Sequence, residues 1–120
     1  HEDVEAYYSL VDVAPFPRLP QPVTELVSPL KPFEAMAMEK AVIASDVHAL
    51  TEIVQHEHTG LLFEKGDASS LANVLLRFIE DEQLRAECGK TARTWVEKER
   101  DWSNISLTLD ETYKALLEVE

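Results

Sequence analysis

The sequence predicts an α/β fold: a parallel sheet of about three strands, helices flanking it, and a helical C-terminal part. Three observations carry this expectation. Strand-like runs alternate with helical blocks as far as Phe63, the pattern of parallel strands joined by crossover helices. The run Ala41-Val42-Ile43-Ala44-Ser45 is apolar without alternation, which fits a strand buried on both faces. Beyond Gly66 the apolar residues recur at helical spacing.

Taken in order, Asp3 to Leu10 reads as a short helix ending near Val11. Val11 to Phe16 is a brief strand-like run stopped by prolines. All 6 prolines fall between Pro15 and Pro32. Proline has no N–H to give a helix or a central strand, so this stretch is expected to be a loop. Loops of such length in compact domains are often functional. A helix is expected from about Pro32 to Met38, with proline tolerated in its first turn. Ala41–Ser45 is the second strand, His48 to Val54 a helix, and Thr59 to Phe63 the third strand before a Gly66-Asp67 turn.

Asp67 is a natural N-cap for the helix that follows. Leu71, Val74, Leu75, Phe78 and Ile79 share one face of that helix. Leu84, Cys88, Thr91 or Ala92, and Trp95 form a second stripe, and Ile105, Leu109, Tyr113 and Leu116 a third. There is no internal repeat and no low-complexity segment. Doubly wound nucleotide-binding domains have two halves, and three strands make one. The first strand is therefore expected to have an exposed edge. A local rearrangement, or a second copy of the chain in a homodimer, would cover it.

Composition excludes several function classes. The 120 residues suit one domain or part of one. With 11 basic residues scattered among 23 acidic ones and a net charge of −12, there is no basic face for nucleic acid and no polybasic membrane anchor. No apolar run approaches the ~20 residues of a membrane-spanning helix. The chain starts at His1 rather than Met, so it reads as an excised piece, and the lack of a visible signal peptide says little. The single Cys88 forms no internal disulfide, in keeping with a reducing, cytoplasmic compartment.

The segment Glu25 to Ala37 is the most informative for chemistry. A proline-rich loop runs into a helix that begins near Lys31. Unpaired N–H groups and partial positive charge at a helix start suit an anion such as a pyrophosphate. Lys31 adds a full charge there. Glu34, one turn on, can accept two hydrogen bonds from a ribose diol, as acidic residues do in dinucleotide folds. The bland reading of Glu34 is a favourable charge in a first helical turn, worth ~0.3–1 kcal/mol.

Glu34-Ala35-Met36-Ala37, Ala41 to Val47, Glu52-Ile53-Val54, Thr59-Gly60-Leu61-Leu62 and Gly66-Asp67, in this order and spacing, resemble the retaining glycosyltransferase family 4 over nearly the whole chain. Ser28 to Ala37 looks like one branch of it. The resemblance implies a partial Rossmann-like sheet. This would be the second half of the nucleotide-sugar-binding, C-terminal domain of a GT-B enzyme. That enzyme would transfer a sugar from a UDP- or GDP-sugar to a glycan, lipid or small-molecule acceptor. It would need no metal and no cofactor, and would be cytoplasmic or peripheral to the membrane.

By the same resemblance, Glu34 would bind the nucleotide ribose, and backbone amides from Ser28 through Leu30 to Lys31 would touch the diphosphate. The family's loop carries an earlier glutamate with seven residues between the two, a position held here by Leu26. Glu25 stands one residue ahead, and a one-residue bulge would bring it to the donor sugar as a catalytic-site residue. The family's loop glycines are replaced by Val27, Ser28 and Pro29. Arg18 and His48 are accessory candidates. The family's diphosphate-holding Arg and Lys belong to the preceding half. Stabilising the departing diphosphate is the main catalytic need, so this chain alone is expected to be inactive.

Other features read more simply. His56 and His58 around Glu57 suggest zinc, but lack a third ligand motif and read as an exposed polar turn. Cys88 reads as a small buried hydrophobe, and Trp95 and Trp102 as core or domain-packing anchors. Trp102 precedes a final helix that in the family crosses to the other domain and is expected to be loose here. The rival reading, from another class, is a non-catalytic interaction module built on a degenerate transferase-like half-domain.

Overall fold

The computed structural model describes residues 3–117. Its elements run α1 (Val4–Ser9), β1 (Val13–Phe16), α2 (Pro22–Leu26), α3 (Lys31–Ala37), β2 (Ala41–Ser45), α4 (His48–Thr51), β3 (Leu61–Phe63), α5 (Ala68–Glu80), α6 (Glu82–Glu99) and α7 (Trp102–Leu117). The three strands form one parallel sheet in the order β1-β2-β3, with Val13 opposite Ala41 and Ile43 opposite Leu61. The expected fold class is found, and β1 lies at an edge of the sheet.

All five residues of β2 are buried, because helices cover both faces of the central strand. Side chains alternate between the two layers. Val42 and Ala44 pack with Ala35, Met36 and Leu50 on the α3–α4 side. Ala41 and Ile43 pack with Leu61, Phe63, Val74 and Phe78 on the α5 side. Met36 and Phe78 are fully buried, and each such side chain contributes about 1.5–3 kcal/mol. Asp67 caps α5 as expected, its carboxylate accepting from the N–H groups of Ser69 at 2.7 Å and Ser70 at 3.0 Å.

α6 spans both layers, placing Cys88 on the α5 side and Ala92 and Val96 on the α3 side. Gly89 makes this close approach feasible: a Cβ there would lie 2.5 Å from the carbonyl oxygen of Glu39. Cys88 is buried as expected. Trp95 stacks on Phe33 with ring centroids 6.2 Å apart, so it is a packing anchor.

Four expectations are corrected. The proline-rich stretch contains α2: Pro22 pre-sets a first helical turn, and the N–H of Gln21 donates to Thr24 Oγ1 at 3.0 Å. α4 is regular only as far as Thr51, and the chain goes on to Val54 as a turn in which the Val54 N–H still donates to the Leu50 carbonyl at 2.8 Å. Ile79 is 65% exposed, so the α5 stripe ends at Phe78. Trp102 is 77% exposed and is therefore no core anchor among the described residues.

Candidate functional site

The carboxyl ends of parallel strands leave a crevice where ligands commonly bind in α/β folds. Here the segment from Pro17 to Leu30 crosses those ends. It buries little apolar surface: Leu19, Val23, Leu26, Val27 and Leu30 are all exposed. Polar ties hold it instead. The N–H of Arg18 donates to Ser45 Oγ at the end of β2 (3.0 Å), and Arg18 Nη1 donates to the Val27 carbonyl (2.9 Å).

Between this segment and α3 lies a cleft of about 610 Å³ lined by Phe16, Arg18, Pro29, Leu30, Lys31 and Glu34, among others. Four of the residues singled out in the sequence, Arg18, Leu30, Lys31 and Glu34, thus line one cleft. No acceptor among the described residues takes a hydrogen bond from the backbone N–H of Ser28, Leu30 or Lys31. Proline at 29 and 32 donates nothing. Ser28 precedes Pro29 and Leu30 on the exposed loop. Two cations, free N–H groups and one carboxylate form a set that can hold an anion beside a diol. α3 has only 7 residues, so its own dipole adds little, and Arg18 and Lys31 supply the positive charge.

Glu25 and His48 lie apart from that cleft. Glu25 Oε2 accepts from the His48 N–H at 2.7 Å, and Oε1 pairs with Lys65 Nζ at 2.6 Å. The His48 N–H, then Lys65, hold the Glu25 carboxyl below its ordinary value. The Lys65 ammonium is correspondingly pushed up by Glu25. The imidazole of His48 is exposed and faces Glu52 at 3.4 Å, in line with a solvent-facing side chain.

Three neighbours were not singled out in the sequence. Ser45 receives the Arg18 N–H, and nothing local marks a serine at a strand end. Lys65 looks like an ordinary turn lysine until the fold brings it to Glu25. Tyr8 of α1 is pushed above its ordinary value, first by burial and then by the Glu34 charge, so α1 lies beside the same cleft. The His56–His58 turn carries structural bonds: His56 Nδ1 accepts from the Leu62 N–H at 2.9 Å, and Arg77 Nη2 pairs with Glu57 at 2.6 Å. No three His, Cys, Asp or Glu side chains converge as metal ligands among the described residues. No helix among them is long and apolar enough to cross a membrane.

Residues 1–95 match the sequence profile of a family described as glycosyl transferases group 1. A phosphatidyl-myo-inositol mannosyltransferase of Mycolicibacterium smegmatis is 37% identical over 84 residues, covering 69% of this chain and 21% of that protein. Among solved structures, a sucrose-phosphate synthase from Thermosynechococcus elongatus superposes with a TM-score of 0.82 at 34% identity, covering 95% of this chain and 27% of that one. The Anabaena protein HepE, solved in complex with UDP and glucose, superposes with a TM-score of 0.80 at 25% identity, covering 91% and 29%. The chain therefore spans less than a third of the length of each of these relatives.

Proposed function

Since the chain belongs to the glycosyl transferases group 1 family, we propose that it forms the second half of the nucleotide-sugar-binding domain of a GT-B hexosyltransferase. The parent enzyme moves a sugar from a UDP- or GDP-sugar to a glycan, lipid or small-molecule acceptor with retention at the anomeric carbon. The observation that carries this reading is the convergence of Arg18, Leu30, Lys31 and Glu34 on one cleft beside the end of β1. HepE, whose solved complex holds UDP and glucose, supports a nucleotide-sugar donor.

In this reading Glu34 accepts hydrogen bonds from the ribose hydroxyls. Lys31 and the free amides of Ser28, Leu30 and Lys31 face the diphosphate. Positive charge matters there because the diphosphate gains negative charge as the glycosidic bond to it breaks. Arg18 and Lys31 alone are a weak counterweight within a chain of net charge −12, so further cations come from the preceding half of the domain. The isolated 120-residue chain is accordingly inactive.

Calorimetric titration of UDP and GDP into the full-length protein tests the site. Glu34→Ala is expected to weaken binding of the preferred nucleotide roughly ten- to a hundredfold, the ~1.5–3 kcal/mol of hydrogen bonds to a charged group. Unchanged affinity removes Glu34 from the site. One observation favours the rival, a non-catalytic interaction module: the Glu25 carboxylate is engaged by Lys65 and His48. Failure of a folded full-length protein to bind either nucleotide selects that rival.

A further inference from the structure

We propose that Glu25 and Lys65 are positioning residues: their ion pair clamps the cleft-lining segment onto the ends of β2 and β3. The proposal rests on the nucleotide-site reading above for its functional consequence, and on geometry alone for the clamp. Residues 17–30 carry one wall of the cleft, yet α2 has no buried residue. Exposed apolar side chains give a segment little reason to hold one place, so its few polar ties decide its position.

Those ties converge on one side. Glu25 stands near the end of α2 and reaches two separate elements at once. Its Oε2 takes the His48 N–H at the start of α4 (2.7 Å), and its Oε1 takes Lys65 Nζ beyond β3 (2.6 Å). Lys65 is itself pinned by its backbone N–H, which donates to Asp46 Oδ1 at 2.8 Å. The chain α2–Glu25–Lys65–Asp46 therefore fastens the exposed segment to the ends of β2 and β3, while Arg18 and Ser45 fasten its start. Glu25 and Lys65 are both partly shielded, at 25% and 36% side-chain exposure. Neither lines the cleft that holds Glu34, so they act through the loop and not by touching the nucleotide.

The experiment pairs two readouts on the full-length protein. The first is amide hydrogen exchange without ligand, followed at His48 and along residues 22–27. Lys65→Ala is expected to speed exchange there about threefold or more, well beyond any change in the rest of the chain. Lys65→Arg, which keeps a cation at the carboxylate, is expected to restore the slow exchange. Unchanged exchange in Lys65→Ala, or a speed-up spread evenly over the whole chain, overturns the clamp. The second readout is UDP and GDP affinity. A loss of about threefold in Lys65→Ala, recovered in Lys65→Arg, is expected. If Glu34→Ala loses binding while Lys65→Ala does not, the clamp's role in binding is overturned and the nucleotide site stands. If the wild type binds neither nucleotide, the site reading falls, and the exchange data still decide the clamp.

Discussion

Two glutamates show how single residues store or release stability in this chain. Glu39 follows α3 with φ of 58°, the left-handed region where a Cβ is unfavourable and glycine is the usual helix-ending residue. Among the described residues its side chain has one ion pair, a long contact with Arg93, 3.8 Å apart and exposed, worth little. Glu39→Gly relieves left-handed strain of about 1–2 kcal/mol against glycine's larger entropy cost of about 0.5–1 kcal/mol, so a net gain of up to about 1 kcal/mol is expected, read as a higher urea midpoint. A lower midpoint would mean that the Arg93 contact and glycine's entropy cost together outweigh backbone strain. Glu25 works in the opposite direction. The His48 N–H and Lys65 hold its carboxyl below the ordinary glutamate value. The unfolded chain thus takes up the proton first as pH falls. The stabilisation is complete above about pH 4.5, the ordinary value, and is lost as pH falls through the lower, folded one. Glu25→Gln should be less stable than the wild type at pH 7, and the gap should close on acidification. A gap that is the same at pH 7 and at pH 3.5 would show that charge plays no part.

At the level of elements, what could be read from the chain and what could not have distinct physical causes. β2, α3 and α5 were legible because their signals are local: an unbroken apolar run, a proline in a first turn, an aspartate cap before a 3.6-residue stripe. α2 was not, since its helix rests on a Gln21–Thr24 bond within a stretch whose prolines speak for a loop. The cleft lining of Arg18, Leu30, Lys31 and Glu34 was legible residue by residue, because those residues are near in sequence. Lys65 and Ser45 were not, because only the crossover topology brings them to the loop. The passage of α6 past the start of β2 is another such long-range feature. It depends on Gly89, where a Cβ would meet the Glu39 carbonyl at 2.5 Å. Backbone cannot swing aside as a side chain can. Gly89→Ala is therefore expected to cost about 1–3 kcal/mol, although alanine is the better helix former. A gain in thermal midpoint would mean that helix propensity wins and that α6 can shift outward freely.

The molecule as a whole is longer than a compact domain of its size. Its radius of gyration is 16.4 Å, and its extents are 58 × 31 × 27 Å, against about 13.6 Å for a compact 120-residue chain. α7 accounts for the excess. None of its residues is buried, and neither core cluster includes one. The stripe of Ile105, Leu109, Tyr113 and Leu116 is amphipathic as expected, yet these side chains are exposed, Leu109 at 52% and Leu116 at 66%. A helix that buries nothing adds little to a fold held by burial elsewhere. Deleting residues 102–120 from the 120-residue chain is therefore expected to leave its unfolding free energy within about 0.5 kcal/mol of the starting value. The same deletion removes an apolar stripe that in water favours self-association. Sedimentation velocity over a concentration series should show association in the 120-residue chain that weakens in the shortened one. A large loss of stability on deletion would mean that α7 docks on the core in solution. Association that persists undiminished would move the sticky surface elsewhere, such as to the edge of the sheet at β1.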